Sequence, residues 1–309
     1  MLLTRKRVIL AKIETTYGVD STPTGATNAI LIRNLNVQPQ ATQLVGREII
    51  RPFLGNFEQL EASTHVELDF EVEAAGSGAA GTAPGYGVLL RACGLSENIT
   101  ASTKVDYKPV SSAFESATIY FNVDGVLHKI TGSRGNVELT INSAQIPVFK
   151  FKFVGIYNAP TDTALPTVSY SSFQTPLVAN STNTPAFSFF GATPVLQDLS
   201  FQLGNQVDYR TLIGTQYAQI TDRKAAGQVT FEANTIATKD WFTTALANGL
   251  GALSITHGTT AGNKIILSSS TVDLLQPTYT DNNGVQMLQI GYVMTPSTAG
   301  NDEFNLSIQ

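Results

Sequence analysis

Residues 64–73 read Thr-His-Val-Glu-Leu-Asp-Phe-Glu-Val-Glu, and residues 148–156 read Val-Phe-Lys-Phe-Lys-Phe-Val-Gly-Ile. Successive side chains of a strand point to opposite faces, so Val66, Leu68, Phe70 and Val72 share one face while Glu67, Asp69, Glu71 and Glu73 share the other. The second segment sets Phe149, Phe151 and Phe153 against Lys150 and Lys152 in the same way. A period of 2 rather than 3.6 rules out an amphipathic helix in either place. In one antiparallel sheet the acidic and basic faces would pair across strands, each contact contributing about 0.2–1 kcal/mol.

Outward from these two segments the strand signal continues. Ala117–Val123, Val126–Ile130, Val137–Ile141, Gln197–Leu203, Gln228–Glu232, Lys264–Leu267 and Val285–Met294 alternate or are rich in β-branched and aromatic residues. Asp124-Gly125, between two such runs, predicts a two-residue hairpin turn with positive φ at both positions. Helical patterns occupy only Tyr86–Cys93 and Trp241–Asn248, each with a Thr in front (Thr82, Thr238) and a Gly behind (Gly94, Gly249) as candidate cap and stop. The chain is therefore expected to be mainly β.

A shift of 155 positions lays the second helix on the first, bringing Tyr86 onto Trp241, Ala92 onto Ala247, Gly94 onto Gly249 and Leu95 onto Leu250. The flanks follow in the same order. Asn34–Val37 matches Asp198–Phe201, Arg47–Ile50 matches Arg210–Ile213, Phe70-Glu71 matches Phe231-Glu232, and Val137–Leu139 matches Val272–Leu274. This predicts an internal duplication: two tandem β-sandwich domains, each with one flanking helix, over residues 1–157 and 193–309. The Pro-, Ser- and Thr-rich residues 158–192 read as a linker. A single large sandwich with coincidental helices is the alternative. Each copy also holds a long, partly apolar stretch before its acidic or central strand, Leu44–Ala62 and Asn205–Ala226. Such stretches are expected to dock on another subunit, or else to fold back as long hairpins.

The 309 residues include 42% hydrophobic but only 14% charged, against a usual charged share of about 25%. Thr, Ser, Asn, Gln and Gly fill the difference, a surface suited to a subunit covered by neighbours. A net charge of −5 argues against gripping nucleic acid, which requires clustered Lys and Arg. One cysteine, Cys93, excludes an internal disulfide. The apolar run Val8–Ala11 is short for a signal-peptide core, and nothing approaches a membrane span. His65, His128 and His257 are scattered rather than in metal-ligand spacing. Gly76–Gly81 lacks the Lys-Ser/Thr of a phosphate loop and reads as a flexible insertion. No cofactor, metal site or catalytic constellation is expected, so an enzyme is disfavoured. A secreted carbohydrate- or surface-binding β-module is the other class to weigh; a single Trp241, in a helical pattern, speaks against it.

Lys12-Ile13-Glu14-Thr15-Thr16-Tyr17-Gly18-Val19-Asp20-Ser21-Thr22-Pro23-Thr24, then Asn28-Ala29-Ile30, Gly46-Arg47-Glu48-Ile49-Ile50-Arg51-Pro52 and Gly132-Ser133-Arg134-Gly135, resemble the major tail tube proteins of long-tailed, non-contractile bacteriophages. The likeness spans residues 1 to about 157. It implies a β-sandwich with a flanking helix whose inner sheet joins those of neighbours into a closed barrel around a lumen. Rings would stack through the long loop, house a tape-measure protein, meet tail terminator and baseplate proteins, and pass DNA without binding it specifically. The location implied is the virion tail, assembled in the host cytoplasm and without membrane contact. On this reading Arg47, Ile49, Ile50, Arg51, Phe53 and Phe57, with Tyr209, Arg210 and Leu212, form the inter-ring arms, and Glu67, Asp69 and Glu71 face the lumen. Single-domain members close as six-fold rings, so a two-domain chain is expected to close as a homotrimer imitating a hexamer, the rival being six chains with the second copy outside.

Overall fold

The structure is a computed structural model and describes residues 2–309. The first half contains β1 (Arg7–Ile13), α1 (Gly25–Asn28), β2 (Ala29–Ile30), β3 (Arg33–Gly46), β4 (Gln59–Glu73), α2 (Gly87–Ala92), β5 (Leu95–Thr100), β6 (Lys104–Pro109), β7 (Ala117–Val123), β8 (Val126–Asn142), β9 (Val148–Tyr157) and β10 (Thr161–Asp162). The second contains β11 (Ala186–Phe189), β12 (Leu196–Gln202), β13 (Asn205–Leu212), β14 (Thr215–Arg223), β15 (Ala226–Glu232), α3 (Trp241–Leu246), β16 (Gly251–His257), β17 (Ile265–Asn282), β18 (Val285–Met294) and β19 (Asn305–Ile308).

The two alternating segments are neighbours. β4 and β9 pair antiparallel with Phe70 opposite Phe151, Asp69 opposite Lys152 and Glu71 opposite Lys150. The apolar side is fully buried, and the Phe70 ring centroid lies 5.8 Å from that of Phe151 and 6.0 Å from that of Phe153. Around this pair the first half runs β3-β4-β9-β8-β7-β1. The second half runs β12-β15-β18-β17-β16-β11, the same sequence of strand roles. Register shifts between Thr131 and Arg134 in β8, and between Leu274 and Pro277 in β17, let each long strand serve two partners in turn.

The halves are not separate bodies. Glu138–Asn142 of β8 pairs with Asp198–Gln202 of β12, which joins both into one 17-stranded sheet. At the far end β19 lies between β6 of the first half and β17 of the second. One core cluster runs from Ile9 to Ile308.

Several local expectations need correction. Val126–Ile130 and Val137–Ile141 are one strand, because the bulge at Gly132 (φ 60°) bends β8 without breaking it. Asp124 and Gly125 have the positive φ the turn requires, 33° and 104°. α2 has no side-chain cap, and α3 is capped by Asp240, whose Oδ1 accepts from the Thr243 N–H at 2.9 Å, not by Thr238. Gly94 (φ 80°) follows α2 as expected, but Asn248 (φ 51°) takes the left-handed position after α3, which a short amide side chain tolerates. Gly76–Gly81 is not free. The Gly76 N–H donates to Asn263 Oδ1 at 2.8 Å, and a Cβ there would collide with the Gly262 carbonyl. Residues 158–192 are laid down on the fold, with β10 on β8, β11 on β16, and Val168 and Tyr170 against Leu10, Ala29, Tyr120 and Leu127. The sequence matches also slip. Asn36, not Asn34, takes the place of Asp198, since Asn36 faces Asp69 as Asp198 faces Thr230, one residue before Phe70 and Phe231 respectively.

Candidate assembly surfaces

Eight consecutive strands, β3-β4-β9-β8-β12-β15-β18-β17, present one polar face. In the first half that face is charged. Lys152 Nζ lies 3.6 Å from Glu67 Oε2, Lys150 Nζ 3.4 Å from Glu138 Oε1, and Arg33 Nε 3.1 Å from Glu71 Oε2. Asn34 Nδ2 donates to Glu71 at 2.8 Å and Asn36 Nδ2 to Asp69 at 3.5 Å. The carboxylates Glu67, Asp69 and Glu71 thus stand together on one face, interleaved with the lysines opposite. Exposed pairs of this kind contribute about 0–1 kcal/mol each, so they set the field of the surface more than the stability of the sheet. In the second half the same rows carry Ser200, Gln202, Gln228, Thr230 and Gln289, with Asp198, Glu232 and Asp273 the carboxylates. Burial raises the Asp198 carboxyl above its usual range, against a hydrogen bond from Thr230.

Beyond this face each half extends an arm, and both are hairpins rather than loops. The first arm is the distal part of β3 and β4 with residues 47–58 at its tip. The tip folds on itself: Arg47 pairs with Glu58, and the Arg51 guanidinium sits 3.9 Å from the Phe57 ring centroid and 5.1 Å from that of Phe53. Arg51 Nη2 also donates to the Asn56 carbonyl at 2.7 Å. Ile50 and Leu54 project fully into solvent, with Ile49 and Phe53 largely exposed.

The second arm, β13 and β14, turns at Ile213-Gly214 and lies across the first half of its own chain. Tyr209 stacks on His65 with centroids 4.8 Å apart. The Ala218 N–H donates to Tyr17 Oη at 2.7 Å, Arg134 Nη1 donates to the Ala218 carbonyl at 3.1 Å, and Asn205 Nδ2 donates to the carbonyls of Cys93 and Gly135 at 2.6 and 2.9 Å. Burial pushes the Tyr17 hydroxyl up to about 12, against the hydrogen bond from Ala218, so it stays neutral and free to accept. Ala218 and Ile220 are buried by this docking. Arg210 reaches back over the Tyr217 ring at 5.9 Å, while Leu212 and Ile213 stay exposed at the tip. Of the residues expected in the arms, Tyr209 is therefore engaged within the chain and the others project from it. Tyr17 and Arg134 lie in stretches that carry the resemblance, but nothing local in the sequence joins them and His65 to the second arm, whose contacts lie up to 201 positions away.

Among the described residues the eight-strand row ends in two unpaired edges. β3 bonds only to β4, and Pro277–Asn282 of β17 bonds only to β18. Such edges present rows of free N–H and C=O groups and are a template for another strand.

Comparison with known families finds a match to the model described as phage tail tube protein, over residues 4–304. No curated protein matches the chain.

Proposed function

From the premise that this chain belongs to the phage tail tube protein family, a structural component of the virion tail, we propose that it builds the tube as stacked rings of three copies, each copy filling two of six like positions. The observation that carries this reading is the repeated strand order, β3-β4-β9-β8-β7-β1 and β12-β15-β18-β17-β16-β11, joined side by side through β8 and β12. Two copies of one domain within a chain, residues 1–157 and a second unit that begins by β11, account for that repetition. Three chains of eight inner strands would close a barrel roughly 50 Å across between backbones, from a strand spacing of about 4.8 Å and a tilt near 40°. Closure removes the open edges that an isolated chain presents.

The polar eight-strand face lines the lumen in this arrangement. Glu67, Asp69, Glu71, Glu73 and Glu138 outnumber Lys150, Lys152 and Arg33 on the first half of it, so a sliding phosphate backbone meets like charge and releases no counterions. DNA is thus conducted during ejection rather than held. The first-arm tip, Arg47–Phe57, reaches the next ring, and the exposed tip of the second arm does so alongside. A tape-measure protein inside, terminator and baseplate proteins at the ends, and a non-contractile tail complete the reading; its support is the resemblance of the N-terminal and Gly46–Pro52 motifs. Imaging of tubes grown from the purified protein tests it. Three chains per ring with six similar inner sheets are expected, and six chains with an outer domain layer overturn it.

A further inference from the structure

Along its eight-strand row the chain contains one complete joint, β8 against β12, and it also carries one unused copy of each side of that joint. Within the chain, Thr140 of β8 stands opposite Ser200 of β12. Ser200 faces Gln228, three residues before Phe231, and Gln38 of β3 faces Glu67, three residues before Phe70. Phe231 and Phe70 in turn face Leu288 and Phe151. Val285 and Val148 lie three residues before these, and their partners are Asn282 and Thr140, the last pairs of their hairpins. Gln38 therefore occupies the place of Ser200, and Asn282 the place of Thr140. Both belong to the two open edges.

The arms tell the same story. The second arm continues the β12–β15 hairpin and is covered by the half that β12 joins, which buries Ala218 and Ile220 and holds Tyr209. The first arm continues the β3–β4 hairpin, and nothing covers it: Leu44, Val45 and Leu60 are each more than half exposed. The second half is correspondingly bare beside its open edge, at Leu275, Tyr279 and Leu250.

Resting on the ring reading above, we propose that the occupant of the open β17 edge is a second copy of this chain: its β3 pairs antiparallel with β17 so that Gln38 stands opposite Asn282, and its first arm lies across the second half as the second arm lies across the first. Pro39 removes one donor from the β3 edge, so the ladder is short and the apolar arm supplies most of the burial. The arm then serves the joint within a ring at its base and leaves only its tip for the next ring.

Opposed antiparallel residues sit about 4.5–5.5 Å apart at Cα, within reach of a disulfide. Full-length Gln38→Cys/Asn282→Cys protein, assembled and then oxidised, is expected to link into covalent trimers, while Gln38→Cys/Thr278→Cys, displaced by four residues, stays unlinked. Backbone hydrogen exchange of the wild-type protein supplies a readout free of substitutions: amides of 36–38, 40, 42–46 and 278–282 should gain protection when dilute protein assembles. Tubes in which those amides exchange as in the monomer, or in which the displaced pair links instead, overturn the seam and leave the ring reading standing. Wild-type protein that stays monomeric at every concentration overturns the ring reading itself, and the seam with it.

Discussion

Tyr209 of the second half lies on His65 of the first with 4.8 Å between ring centroids and 22° between planes. One ring belongs to an arm and the other to the sheet it crosses. The contact therefore measures whether the arm is docked. Tyr209→Ala should cost about 1–2 kcal/mol, the aromatic pair plus part of the ring's burial, seen as a lower denaturant midpoint. Protease cleavage within 205–223 should also rise. An unchanged midpoint and cleavage pattern would mean that the arm is held by Tyr17, Arg134 and Asn205 alone.

The first-arm tip contributes nothing to its own chain's core, because Ile50 and Leu54 are fully exposed. Ile50→Ser/Leu54→Ser should leave the unfolding midpoint within about 0.5 kcal/mol of wild type, as surface changes do. Tubes should become shorter or dissolve into rings under electron microscopy. Long tubes from this variant would remove the tip from ring stacking.

The charged rows of the first half admit a direct test of the lumen assignment. Lysine at Glu67, Asp69 and Glu71 together changes three negative charges to positive and sets them against Lys150, Lys152 and Arg33. Exposed pairs are weak, so the sheet should lose only about 1–2 kcal/mol in all. DNA ejection should slow and become salt-dependent, since the field acts over about 8 Å at physiological ionic strength and attracts phosphate. Ejection kinetics equal to wild type with these lysines in place would put the face elsewhere.

Asp198, at the joint between the halves, has a carboxyl raised by burial. An acid whose folded pKa lies above its unfolded value destabilises the fold while ionised, and that cost fades as pH falls through the folded pKa toward the unfolded one. Asp198→Asn should therefore be as stable as wild type or more so at pH 7, and its advantage should shrink on mild acidification. Asp20 behaves oppositely. Burial would raise it, but hydrogen bonds from Tyr120, Thr22 and Lys129 together hold it below the usual range, so its contribution is present at neutral pH and lost in acid. Chemical denaturation of both asparagine variants from pH 7 down to about pH 2 separates the two signs, because the Asp198 effect fades above the free-carboxylate range near pH 4 and the Asp20 effect below it.

The residues that made the fold legible are those whose neighbours in sequence report their environment. Phe149, Phe151 and Phe153 against Lys150 and Lys152 declare a two-faced strand, and Asp124-Gly125 declares its turn. β1 was hidden because Ile9, Leu10 and Ala11 are buried on both faces, which leaves no alternation to read. The two arms were visible as apolar stretches, but the covered arm looks like the bare one until Tyr17, His65 and Arg134 are brought to it. Pairing partners slipped by two residues in β3 because bulges, which add a residue to one strand only, leave no mark in a matched sequence.

Arg223 and Glu303 hold three regions at one point. Arg223 Nε lies 2.7 Å from Glu303 Oε1, and Arg223 Nη1 donates to the Val110 carbonyl at 2.7 Å, so the base of the second arm, a first-half loop and the C-terminal segment meet there. The side chains are 13% and 6% exposed, which takes the pair out of the weak surface class. Glu303 Oε2 is buried with no partner among the described residues. Arg223→Met would leave the carboxylate uncompensated in the interior, at a cost of about 3–5 kcal/mol. Arg223→Met/Glu303→Leu removes both charges and should recover about 2 kcal/mol or more of that loss, leaving mainly the hydrogen bonds to Val110 and Asn301 unmade. Denaturant unfolding of the two variants decides the matter. If the double variant is no more stable than the single one, the cost lies in lost packing rather than in a stranded charge. If unfolding also splits into two transitions in the single variant, this point is what makes the halves unfold as one unit.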